Sequence, residues 1–180
     1  KVLSVSVILY ITNIVSTNFF SLYVTQWLGI ESRYLAFFPI LNAAVMLIFM
    51  IGIQHKLELV KFRIPMWIGL ALYAIAVILL ILAPTGSIPF VIVYVFVVAV
   101  AGSLVMPRKD ALIQLNINAE ERARINALIM SFTIAFSSPF GYFAGWLSSI
   151  DRRLPFMFSF ALFLVAIIIV GRIRDPEFSK

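Results

Sequence analysis

Four polar residues share one face of the first apolar segment. Ser6, Asn13, Thr17 and Ser21 fall within about 80° of one another at 100° per residue. A hydroxyl or amide held against hydrocarbon without a partner costs about 2–7 kcal/mol, so this stripe faces either an aqueous cavity or a neighbouring helix. In a cavity these groups would hydrogen-bond an uncharged solute; between helices they would form contacts averaging about 0.6 kcal/mol each. The fifth segment carries a second set. Ser131, Ser138 and Tyr142 lie on one side, and Ser137, Gly141 and Gly145 run beside them at four-residue spacing. The second row is a small-xxx-small stripe and reads as close helix packing, or as a surface on which helices slide and re-pack. Pro139 is expected to free a backbone carbonyl in mid-span and kink its segment, and Pro39 with Asn42 to do the same in the second segment.

The charged groups concentrate elsewhere. Pro107 to Asn126 is the longest stretch that is not predominantly apolar, and it holds Arg108, Lys109, Asp110, Glu120, Glu121, Arg122 and Arg124. Such an island belongs at a membrane surface, as a loop or a helix margin. Pro107 is expected to stop or kink the preceding helix. Ala111, Leu112 and Leu115 then suit one helical face, so the helix resumes or lies at the interface. Asn118 followed by Glu121 has capping-box spacing for the next helix. Glu120 and Glu121 suit the positive end of its dipole, whereas Arg122 and Arg124 do not. The arginines therefore serve topology and lipid phosphates, or form a charge latch with another loop.

No Asp, Glu, Lys, Arg or His falls in the middle of an apolar segment. Proton relays and ion sites need such groups. Coupling to a proton or ion would therefore rest on another part of the protein, with Asp110 the one candidate here. A site made from these segments would be apolar, aromatic and hydroxyl-rich, favouring a neutral or lipophilic solute. The sequence gives no support for an enzyme. The lone His55 stands among Lys56 and Glu58 in a polar connection, and there is no G-x-S-x-G. There is neither a phosphate-binding glycine loop nor metal-ligand spacing, so no metal or cofactor is expected. Cysteine is absent, which excludes disulfides and thiol chemistry.

The elements that must position these residues are long and apolar. Of 180 residues 63% are hydrophobic and 12% charged, with a mean hydropathy of +1.07. A soluble domain carries about 25% charged residues. The apolar residues form six segments, Val2–Leu28, Tyr34–Gln54, Ile64–Leu82, Ile88–Met106, Ile125–Ser148 and Leu154–Val170. Each suffices to cross a core about 30 Å thick as a helix, and short connections make neighbours antiparallel. The predicted fold is an all-α integral membrane protein, a single six-helix bundle over residues 1–180. The first segment is too long for a signal peptide.

Lys1, Lys56, Lys61, Arg63, Arg108, Lys109, Arg122, Arg124, Arg172, Arg174 and Lys180 fall on one side. Arg33, Arg152 and Arg153 fall on the other. This bias predicts that both termini face the cytoplasm, in a plasma membrane or its bacterial inner-membrane equivalent. The net charge of +6 is thus a membrane-surface signal, not a nucleic-acid one. Trp27 and Trp146 near the outer boundary, and Trp67 near the inner one, fit interfacial anchors. The chain opens on Lys1 and enters a spanning segment at once, so it is expected to be a piece of something longer or a processed chain.

A family resemblance follows from these motifs. Pro107-Arg108-Lys109-Asp110-Ala111-Leu112, then Asn118-Ala119-Glu120-Glu121-Arg122-Ala123-Arg124 with Ala127 beyond, resembles the cytoplasmic connection between the tenth and eleventh helices of major facilitator superfamily transporters. Ser138-Pro139-Phe140-Gly141-Tyr142-Phe143-Ala144-Gly145 resembles the Pro-x-Gly-rich eleventh helix, and Arg152-Arg153-Leu154-Pro155-Phe156 the start of the twelfth. Gly52 to Arg63 sits where the family repeats its glycine-and-basic loop. Lys56 stands where Asp is common, while Lys61 and Arg63 keep the basic character.

The resemblance implies the C-terminal half of a twelve-helix secondary transporter, an uptake or efflux permease working by alternating access. Its partners would be an N-terminal six-helix half, a small solute with or without a co-transported proton or ion, and the bilayer. Helices one, two, four and five would face the cavity. Asn13 and Thr17, with Asn42, Ser131, Ser138 and Tyr142, become the candidate solute contacts. Asp110, Glu120, Glu121, Arg122, Arg124, Lys61 and Arg63 become candidate gate contacts. The alternative is a self-contained six-helix protein that homodimerises or serves as a structural subunit.

Overall fold

The computed structural model describes residues 2–52, 63–115 and 121–172. Among them are six α-helices and no strand: α1 Val2–Leu22, α2 Phe37–Gly52, α3 Arg63–Ile81, α4 Ile88–Leu115, α5 Arg122–Ile150 and α6 Leu154–Gly171. With their flanking turns, all six are long and apolar enough to cross a membrane. Helices satisfy their own backbone groups, which hydrocarbon cannot do for them. The protein is an all-α, six-helix membrane bundle.

Several helix ends differ from expectation, each for a local reason. The first segment closes as α1 plus a five-residue π-helical turn, Tyr23–Trp27. A 3₁₀ turn at Ser32–Tyr34 precedes α2, which starts only at Phe37. Pro39 therefore falls in a first turn, where its missing N–H has no carbonyl to serve, and it interrupts nothing in mid-span. Pro107 does not stop α4, which runs on to Leu115. A proline removes one bond, here the one to the Ser103 carbonyl, and the apolar spacing continues beyond it. Buried Arg108 adds a donor at the same turn, from Nη1 to the Leu104 carbonyl at 3.2 Å. Pro139 likewise lies inside α5. Glu121 stands at the N-cap of α5 without a side-chain capping bond, so it is not the third residue of a capping box. Asn118, Glu120, Lys61, Lys56 and His55 lie outside the described residues.

The core forms where α3 packs against α4 and α6, with α2 on the outer flank of α4. α1 packs on α5 and α6 but meets α4 only briefly. Met66, Leu70, Ala74, Val77 and Leu80 fill the centre from α3. Tyr73 stacks on Phe163 of α6 at 5.0 Å. At Gly69 the crossing is so close that a Cβ would stand 2.5 Å from Val105 Cγ2 and 3.1 Å from the Ala101 carbonyl oxygen.

One end of the bundle is tied. The Gly86 amide, in the α3–α4 turn, donates to the Leu28 carbonyl at 2.6 Å. Gly29 and Gly86 both have positive φ, which glycine adopts without strain. Tyr23 donates its hydroxyl to the Leu80 carbonyl at 3.2 Å. Arg152, in the α5–α6 turn, donates to Gln26 Oε1 at 2.9 Å and to Ser148 Oγ at 2.8 Å. Arg153 lies over the Trp27 ring at 4.6 Å, and Arg33 pairs with Glu31 at 2.8 Å. Three turns are thus joined, and the three basic residues of the sparsely charged side all have partners within the fold.

Candidate functional site

At the opposite end α1, α4 and α5 part, leaving a cleft of about 450 Å³. Within each helix the lining residues recur from turn to turn and share one broad face. α1 contributes Ser6, Tyr10 and Asn13; α4 contributes Lys109, Asp110 and Gln114; α5 contributes Asn126 and Thr133. Met106, Ile113 and Met130 supply apolar wall between the polar groups. The size falls within the roughly 300–1,000 Å³ of small-molecule sites.

The charges in the cleft are internally balanced. Lys109 Nζ lies 3.1 Å from Asp110 Oδ1, with the lysine side chain 21% exposed and the aspartate 57%. The cleft therefore presents no net charge to a solute from these two. One of its uncharged groups is unsatisfied. Thr133 is 7% exposed and its Oγ1 is buried without a hydrogen-bond partner. A buried hydroxyl left this way costs about 1–3 kcal/mol. The arrangement suits binding of an uncharged amphipathic molecule.

No family model matches this sequence, and no curated protein is significantly similar to it. The reading of the site accordingly rests on its own geometry. Among the described residues no group of three or more His, Cys, Asp or Glu is placed to hold a metal ion.

Of the expected solute contacts, Asn13 lines the cleft, and Asp110, expected at the gate, lines it too. Thr17 is exposed on α1 outside it, and Asn42 is half-buried on α2. Ser131, Ser138 and Tyr142 do not line it; Tyr142 is 86% exposed. At 3.6 residues per turn those three lie roughly 120–160° around α5 from Asn126, on its uncovered side. Ser137 is fully buried, and a Cβ at Gly141 or Gly145 would meet Ile14 at 3.7 Å or Phe19 at 3.9 Å, so this row faces α1. Glu121, Arg122 and Arg124 are exposed and form no ion pair with another described residue. Arg63 opens α3 beside Gly171, at the end of α6.

Sequence reasoning missed Tyr10, Lys109 as a cavity residue, Gln114, Asn126 and Thr133. Same-face spacing marks each set within its own helix. Which three faces meet is a property of packing and has no counterpart in any one segment.

Proposed function

We propose that this chain is the C-terminal six-helix half of a secondary transporter of the major facilitator type, moving a small neutral or lipophilic solute by alternating access. The observation that carries the reading is the contrast between the ends of the bundle. Three turns are tied together at the Arg33, Arg152 and Arg153 end, while α1, α4 and α5 part around the cleft at the Lys109 and Asp110 end. A rocking half-transporter in its inward-facing state would be closed on one side and open on the other in this way. The excess of Lys and Arg at the open end favours the cytoplasm there, with both termini on that side. An N-terminal six-helix half would supply the opposing wall, and any proton- or ion-coupling group at mid-membrane.

The test is flux through the full-length protein in proteoliposomes, with a panel of neutral, cationic and anionic solutes, with and without a proton gradient. Neutral solutes are expected to move. Asn13→Leu is expected to lower flux about tenfold, equivalent to ~1.4 kcal/mol, without loss of folded protein. Absence of flux for every solute in a folded preparation, or preference for ions, would sink the reading.

A further inference from the structure

We infer that the cleft continues past Asn13 and Met106 into a second, hydroxyl-lined chamber, which receives the uncharged hydroxyl or carbonyl head of a solute whose apolar body fills the cleft. That a transported solute enters it rests on the transporter reading; the chamber and its chemistry do not.

The second chamber measures about 70 Å³ and lies between α1, α3, α4 and α6. It shares Leu9, Asn13 and Met106 with the cleft, so these three side chains are the wall between the two spaces. Behind them, hydroxyls arrive from three helices: Thr12 and Ser16 on α1, Tyr73 on α3 and Tyr94 on α4. The Tyr94 hydroxyl lies alongside that of Ser16. Tyr73 reaches the chamber because residue 102 is glycine; a Cβ there would stand 3.0 Å from the tyrosine hydroxyl. Thr12 spends its proton on the Leu9 carbonyl at 3.0 Å, which leaves its oxygen free to accept.

Four hydroxyls within an otherwise apolar lining give so small a space the polar partners that an ordered water needs. At ~30 Å³ per molecule there is room for about two. A hydroxyl or carbonyl replacing those waters keeps their hydrogen bonds. A carboxylate or ammonium would instead be desolvated without a counter-charge, since no charged residue among those described lines the chamber. The wall is built to move. Met106 is unbranched and flexible, and Asn13 is exposed with no hydrogen bond to another described residue.

The chain has no cysteine, so a single introduced thiol reports one position. Ser16→Cys and Thr12→Cys place it in the chamber, and Thr85→Cys, in the far turn, is the control. Methyl methanethiosulfonate, small and neutral, is expected to label both chamber thiols in the folded protein. A plug at the wall, Met106→Phe, should slow that labelling about tenfold and leave Thr85→Cys unchanged. Three probes then share one hexyl body: 1-hexanol, hexanoate and hexylammonium. The alcohol should protect Ser16→Cys about fivefold, and the two ions less than about twofold.

Chamber thiols that stay unlabelled in folded protein, or labelling indifferent to the plug, would overturn the connection. Protection by either ion equal to that by the alcohol would overturn the uncharged head. If Ser16→Cys does not fold, Thr12→Cys reads the same space. Labelling and protection need no flux. A protected chamber in a protein without flux keeps this inference and removes the transporter reading, and flux without protection does the reverse.

Discussion

Gly69 is the position where a single methyl group should matter most. Its missing Cβ is where Val105 Cγ2 and the Ala101 carbonyl press against α3, at 2.5 and 3.1 Å from the atom that alanine would add. Backbone and a β-branched side chain cannot yield cheaply, so Gly69→Ala is expected to destabilise by about 1–3 kcal/mol. Gly141→Ala should be harmless, because its added carbon would meet Ile14 at an ordinary 3.7 Å. Thermal unfolding of the two variants in detergent checks this; equal midpoints would refute it. The pair also shows what single residues disclose in a sequence. Gly141 and Gly145 stand out because their spacing is visible within one helix. Gly69 does not, since the wall it meets belongs to another helix. Thr133 escaped notice for the same reason: only the packing of α5 within the bundle makes its hydroxyl buried and unpartnered.

At the scale of elements, the bilayer made most of the fold readable. A fixed core thickness demands long apolar runs, and those runs coincide with α1 to α6 to within a few residues at most ends. The departures arise where hydropathy is indifferent to backbone detail. Pro107 carries the expected penalty of one hydrogen bond, but the helix continues because the run beyond it keeps its apolar spacing. The π-helical turn at Tyr23–Trp27 has no sequence signature of its own. Its value is geometric, since it presents Gln26 to Arg152 and Trp27 to Arg153. A charge-assisted bond across two turns with partial exposure is worth about 1 kcal/mol. Gln26→Ala and Arg152→Ala should each lower stability by about that much, and the double variant should lose little more than either single one. Additive losses in such a cycle would mean that the α1 end and the α5–α6 turn are not coupled.

The whole molecule combines a tied end with a parted one, and the difference should be visible as motion. Where α1 and α4 meet only briefly, few buried contacts oppose a change in their separation. At the tied end, the Leu28–Gly86, Tyr23–Leu80 and Gln26–Arg152 bonds would all have to break. Spin labels on Tyr10→Cys and Ile113→Cys report the mouth of the cleft, and labels on Thr85→Cys and Ser149→Cys report the tied turns. Pulsed distance measurements on the protein in lipid nanodiscs should give a broad distribution for the first pair and a single narrow one for the second. A bound neutral solute gains only from the arrangement that encloses it, so it should narrow the first distribution and leave the second alone. Two narrow distributions, both unmoved by solute, would describe a rigid bundle whose cleft is a fixed notch, and the proposed alternating access would then have no moving part in this bundle.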